Sequence, residues 1–238
     1  MKSVNACVRI ITAVAAITVP VILLCGGVFG SFLFTFSIPL FWQVALRGKS
    51  FESLGFKTPV SARAIAVGIV SGIALGIIGG ELMRRVGLAN FSFDATDTVG
   101  MRIGPFVCNF SLAKELGYQL LAHSNSIKGA LLYIGFNIFL IGLGEELFWR
   151  GFIQRKAALF VKNVPAAIGV TALLFAAIHF YIFAVVPVKV GMVFLGLIAF
   201  AGGVWGYCRE RFDSIWAPAI SHGITAAIIW KLYFFRFS

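Results

Sequence analysis

The sequence predicts an all-α fold, a polytopic bundle of about seven to eight transmembrane helices. Two observations carry this. Of 238 residues, 60% are hydrophobic and only 12% charged, with mean hydropathy +0.96, whereas soluble domains carry roughly a quarter charged residues. The apolar residues also fall in runs of membrane length, separated by short basic gaps. A soluble core of this size cannot hide so much apolar surface, so lipid must be the solvent. The whole chain, 1–238, reads as a single integral membrane domain without internal repeats or low-complexity tracts.

Spanning a bilayer takes about 20 apolar residues in a helix. The first charge-free stretch, Ile10 to Leu46, is long enough for two spans. Gly26, Gly27 and Gly30 mark the expected turn, and Pro20 and Pro39 the expected kinks. Lys2 and Arg9 before this run look like the start of a signal peptide, and Cys25 follows it. Leu24 is too large for the position before a lipoprotein cleavage site, so the expectation is a retained first helix.

After the polar stretch from Arg47 to Arg63, a third span is expected from Ala64 to Met83, closed by Arg84 and Arg85. Residues 86–127 form the longest polar stretch. Within it, Leu112 to Leu121 has the periodicity of an interfacial amphipathic helix, and part of 100–122 is a candidate for insertion. A fourth span begins near Gly129 and runs into GEELFWRGFIQRK. The last three are expected at Pro165–Phe183, Val188–Tyr207 and Ser214–Tyr233.

The net charge of +11 lies in the gaps between runs. It reads as a topology signal, not as a nucleic-acid surface, because no polar basic domain exists to carry one. With the N-terminus in the cytoplasm, twelve of the 20 Lys and Arg face inward and eight outward, most of the eight in one long loop that weighs less in the rule. Cys7, Cys25, Cys108 and Cys208 are widely spaced without a CxxC pair, which argues for packing and against a metal knuckle or disulfide framework.

Ionisable side chains inside apolar spans are costly and point to function. Glu146 and Arg150 are four apart and share a helix face, so they can neutralise each other. Glu145 is turned by about 100° and has no sequence partner, which suits a general base. Of three histidines, His123 lies in the polar loop, while His179 and His222 lie in separate spans. A Glu and two His from three helices can activate one water, or equally hold a zinc ion with an open position. Phe175 precedes His179 by one turn and shares its face. The same groups would also serve a proton relay.

The order of these pieces resembles the CPBP family of intramembrane proteases, which includes type II CAAX prenyl proteases and bacterial Abi proteins. EELFWR fits EExxxR, FAAIH fits FxxxH, and SIWAPAISHG brings a histidine in a final span. LGFK at Leu54–Lys57 is similar to another stretch of these proteins. The motifs fall within residues 128–238. The resemblance implies an intramembrane endopeptidase acting on a peptide or membrane-protein substrate within the bilayer, and a bacterial inner membrane is the expected location. It implies Glu145 as the base that activates water, His179 as the group that binds that water or a metal, and His222 as a stabiliser of the oxyanion. Glu146 and Arg150 would fix the helix, and Phe175 would pack beside His179.

One position departs from the family pattern. Ala226 stands where the third motif usually has Asn or Asp, four residues after the histidine. Thr225 and Asn137 are candidate replacement donors, with Thr225 equally suited to bonding a backbone carbonyl one turn back. The departure keeps a second reading open, an inactive scaffold of the same fold that binds a partner protein. A proton-coupled transporter is a third, weakened by the lack of inverted repeats. The zinc question stays open at this level.

Overall fold

The computed structural model describes residues 35, 36, 38–40, 42, 43, 47, 50–57, 60–87, 98–103, 106–111, 126–184, 186–229 and 231. Most of the first two expected spans, the expected interfacial helix at 112–121 and His123 lie outside them. Five main helices stand out: α1 (Ala62–Arg85), α2 (Ile127–Val161), α3 (Val164–Ala177), α4 (Val188–Phe212) and α5 (Trp216–Ile229). By length and composition α1, α2 and α4 can each cross a membrane, and α3 and α5 are shorter apolar helices.

The helix ends follow local chemistry. Ser126 accepts the amide of Gly129 at 3.0 Å to open α2, and Asn163 accepts that of Ala166 at 3.0 Å to open α3, both as capping side chains do. Pro165 in the first turn of α3 gives up an amide that would have had no partner there. Lys162, with φ of 52°, turns the chain left-handed between α2 and α3. At the end of α1, Glu81 is bound by Arg84 at 2.7 Å and Arg85 at 2.8 Å.

Two expectations change. The polar stretch after α1 contains an antiparallel hairpin, β1 (Thr98–Ile103) and β2 (Phe106–Ser111), in the register Thr98 with Ser111 to Ile103 with Phe106. Thr, Val and Ile in β1 and Phe and Val in β2 are residues with strand preference, so the all-helical expectation holds for the described residues outside this ribbon. The second change concerns depth. Ending the fourth span near its first charges would put Glu145 at a helix end, shallower than His179 by roughly 10 Å at 1.5 Å per residue. Instead α2 is continuous for 35 residues, because Glu146 and Arg150 neutralise each other within it and do not stop it. Glu145 then lies 17 residues before the Lys162 turn and His179 17 residues after it. In a helical hairpin this brings them level.

Helix α5 sits inside the bundle. On one side α1 presents Gly68, Gly72 and Gly76, four apart, the small-residue spacing that lets membrane helices touch. A β-carbon at Gly72 would lie 2.8 Å from Cβ of Ile224 and from the Ser221 carbonyl oxygen. On the other side α5 meets the middle of α2, where a β-carbon at Gly223 would overlap Cα of Ile138. Helix α2 is wound in wide π turns at Asn137–Gly142 and Leu147–Ile153, flanking one ordinary turn at Leu143–Glu146. Such turns often mark functional positions. Trp42, Phe148, Trp149, Phe152, Phe175, Ala201 and Trp205 form an aromatic core between α2, α3 and α4.

Candidate active site

Four helices meet at one polar cluster. Glu145 and Glu146 come from the ordinary turn of α2, Arg150 from its second π segment, His179 from just past the end of α3, and His222 from α5. Glu146 and Arg150 are fully buried and pair at 2.8 Å. Arg150 also donates to the Gly202 carbonyl of α4 at 3.0 Å, and its guanidinium lies over the rings of Phe175 at 4.7 Å and Trp205 at 5.4 Å. Its charge is thus met by a carboxylate, a carbonyl and two π faces, which a buried cation requires.

Glu146 has a second partner that its sequence spacing does not reveal. Its Oε1 also lies 2.8 Å from Nδ1 of His222. The oxygen already accepts from Arg150, and an ionised carboxylate only accepts, so Nδ1 of His222 carries the hydrogen. That sets the tautomer and turns Nε2 towards Oε2 of Glu145, 3.8 Å away. Glu145 differs from its neighbour in access: its side chain is 23% exposed where that of Glu146 is fully covered. A substrate or water reaches the first and not the second.

His179 donates Nδ1–H to the Phe175 carbonyl at 2.8 Å, since a carbonyl can only accept. Its ring makes an edge contact with Phe175 at 4.9 Å, and Phe175 makes another with His222 at 5.7 Å. Phe175 is therefore the wedge between the two imidazoles. Thr225 directs its hydroxyl to backbone carbonyls, Ser221 at 2.8 Å and Gly72 at 3.2 Å. Asn137 is buried, with Nδ2 on the Tyr133 carbonyl at 2.9 Å. Ala226, half-buried, follows His222 by one turn of α5.

A zinc ion would need three or more protein ligands converging on one point. Among the described residues no group of three or more His, Cys, Asp or Glu side chains is so placed. Glu145 faces His222 at 3.8 Å, Phe175 lies between the two histidines, and the donor set does not fit a metal.

Two remaining members of the cluster, Trp205 and Ser71, lie outside the quoted motifs, and Ser221 sits within SIWAPAISHG. Trp205 of α4 stacks flat on His222, ring centres 4.0 Å apart at 13°. Its indole N–H donates to Ser221 at 3.0 Å, and Ser221 meets Ser71 of α1 at 2.9 Å. The one available signal was Trp205 itself, a large side chain with an N–H to satisfy in the glycine-rich run AGGVWG.

Residues 127–228, from the start of α2 to the last turn of α5, match the family model described as Type II CAAX prenyl endopeptidase Rce1-like. Over this stretch the chain is similar to the type II CAAX prenyl endopeptidases. Neither the curated proteins nor the solved structures gave a match. The Rce1-like region holds every charged member of the polar cluster, while Ser71, on α1, lies before it. Apolar helices of spanning length together with this protease family make the chain an integral membrane protein.

Proposed function

We propose that the chain is a glutamate-dependent intramembrane endopeptidase, a single membrane domain that hydrolyses a peptide bond in a membrane-associated protein or peptide. The observation that carries this reading is the pair of neighbouring carboxylates with opposite roles around one imidazole. Buried Glu146 holds Nδ1 of His222, and accessible Glu145 faces Nε2.

In the proposed reaction Glu145 takes a proton from a water while that oxygen attacks the scissile carbonyl carbon. His179, with its hydrogen on Nδ1, offers Nε2 as an acceptor to the same water. The carbonyl oxygen gains negative charge as the tetrahedral intermediate forms. Because Nδ1–H of His222 is given to Glu146, Nε2 can donate to the oxyanion only in a ring that has taken a second proton from solvent before the water attacks, and that proton stays on the ring through the reaction. The buried carboxylate of Glu146 supports the charge of the protonated ring. The proton held by Glu145 then passes to the leaving nitrogen as the C–N bond breaks. Both His and Glu roles run without a metal.

The test is cleavage of mixed-sequence quenched fluorogenic peptides, with and without a CaaX-type end, by purified protein in detergent. Turnover should vanish in Glu145→Ala and fall sharply in His179→Ala, and should persist in chelator. Turnover that survives both substitutions would sink this mechanism.

Ala226 favours a second reading, a partner-binding scaffold of the same fold with no turnover. The two part on one substitution. Ala226→Asn adds a donor one turn from His222, and a single oxyanion donor is worth about a hundredfold or more in rate. A rise of that order supports a handicapped enzyme. No turnover in either protein supports the scaffold. The proposed location is a bacterial inner membrane, and the loop charges support a cytoplasmic N-terminus.

A further inference from the structure

We propose that Trp205 is a positioning residue for His222, anchored by a chain of hydroxyls that reaches across α5 to α1. The proposal rests on the reading of His222 as a reacting group. Trp205 and Ser71 lie outside the motifs quoted above, and Ser221 is the residue before His222 in SIWAPAISHG.

Consider what holds the imidazole. Glu146 fixes one atom, Nδ1, at 2.8 Å. A single hydrogen bond leaves the ring free to swing about that contact, and Nε2 would sweep past Glu145. Two further contacts are needed to fix the plane. Phe175 touches the ring by its edge at 5.7 Å and nearly at right angles. Trp205 covers its face at 4.0 Å and 13°. Stack, edge and hydrogen bond together leave the ring one orientation.

The indole itself is held by a polar chain. Trp205 Nε1–H donates to Ser221 Oγ at 3.0 Å. Ser221 Oγ lies 2.9 Å from Ser71 Oγ, and Ser71 Oγ lies 2.6 Å from the Val67 carbonyl. Each hydroxyl has one hydrogen and can accept as well as donate. All three contacts are satisfied when the chain runs from Trp205 to Ser221, from Ser221 to Ser71, and from Ser71 to the Val67 carbonyl. Trp205 and Ser221 are both buried, so an unmatched N–H or hydroxyl there would be costly. The indole therefore has one seat, and α1 sets it. The ionisable groups facing His222 are Glu146 on Nδ1 and Glu145 on Nε2, with Arg150 beyond Glu146 and His179 across Phe175. None of them touches the face that Trp205 covers.

The experiment uses the full chain in detergent micelles labelled with ¹⁵N-histidine, with the His222 ring signals assigned by His222→Ala. In the wild type the Nδ1–H of His222 should exchange slowly with solvent. It should stay slow in Trp205→Phe, which keeps a ring on the imidazole face, and become fast in Trp205→Leu and faster than wild type in Ser221→Ala. Cleavage of the fluorogenic peptides should follow: a misplaced catalytic group costs about a hundredfold, so kcat in Trp205→Leu should fall by that order with KM little changed. Trp205→Leu should cost nothing further in a His222→Ala background. Slow exchange that persists in Trp205→Leu overturns the proposal. If Trp205→Leu does not fold, Ser221→Ala decides, and unchanged exchange there overturns it equally. Altered exchange in a protein with no peptidase turnover leaves the positioning role standing and removes the protease reading instead.

Discussion

Glu145 and Glu146 are adjacent in sequence and chemically identical, so their different fates come from what surrounds them. Among the described residues Glu146 is the carboxylate paired with buried Arg150, and it also holds His222. Glu146→Ala should therefore act on stability, because removing one partner leaves a buried charge unmatched at a cost of about 3–5 kcal/mol. Thermal unfolding in detergent should show a clearly lowered midpoint. Glu145→Gln removes no such support. It should unfold at the wild-type temperature while losing turnover by about 10²–10⁴-fold, the usual worth of a general base. Equal destabilisation by both would contradict the division of roles. The sequence carries much of this site. Spacing of four pairs Glu146 with Arg150 and Phe175 with His179, because one helix carries both members. It is silent on Glu146 with His222, or Trp205 with His222, because those contacts join residues 76 and 17 apart on different helices. No local period encodes them, and only the docking of α5 between α1 and α2 creates them.

That docking is a property of the helices. The backbones of α5 and α2 meet so closely at Gly223 that a methyl group would overlap Ile138. Gly223→Ala must push the helices apart or strain α5, which costs about 1–3 kcal/mol for overpacking, and it displaces the neighbouring His222. A lowered unfolding midpoint together with reduced turnover is expected, and a neutral effect on both would argue against this packing. At the loop end of the bundle the ties are ionic. Asp213, the left-handed residue after α4, accepts from Arg209 at 2.9 Å and from Lys57 of the LGFK stretch, and the Ile215 amide binds the Gly55 carbonyl at 2.9 Å. Partial burial alone would raise the Asp213 carboxyl, but the bonds from Lys57 and Arg209 outweigh it and hold the group below its ordinary value of 3.8. A carboxyl depressed by folding stabilises the fold above its unfolded value and loses that contribution as pH falls through the folded one. Asp213→Asn should lower the midpoint slightly at neutral pH, by no more than the ~1 kcal/mol of an exposed pair. The gap from wild type should close as the pH is taken below 3.8. Two helix starts were legible to within a few residues, with spans expected from Gly129 and Pro165 and helices found from Ile127 and Val164. Sequence periodicity failed in the hairpin of 98–111, where Gly, Arg and Asn interrupt the strand pattern.

Among the described residues the two ends of the bundle differ in chemistry. Lys57, Arg155, Arg209 and Asp213 meet where α2 and α4 finish. Met83, Ile182, Val186 and Val190 pack together at the far end, near the finish of α1 and the start of α4. Helices α1 to α5 thus alternate in direction, and Lys162 and Lys128, at opposite ends of α2, are on opposite faces of the bundle. Helix α2 is about 50 Å long at 1.5 Å per residue, against a hydrocarbon core of about 30 Å. It must tilt or project, and its charged last turns with Arg155 and Lys156 suit projection into water. The positive-inside rule predicts that the Lys162 face, which carries the excess of Lys and Arg, is the cytoplasmic one. Single cysteines placed at 162 and at 128, in a background without the four natural cysteines, test this with a thiol reagent that cannot cross the membrane. In intact cells Lys128→Cys should label and Lys162→Cys should not, and opening the cells should expose the second. The reverse pattern would invert the protein and put the entrance to Glu145 on the other side of its depth in the bilayer. Labelling of both in intact cells would mean that α2 does not span. Since Glu145 and His179 lie equally far from Lys162 along their helices, the same experiment fixes how far below the cytoplasmic surface a scissile bond must enter.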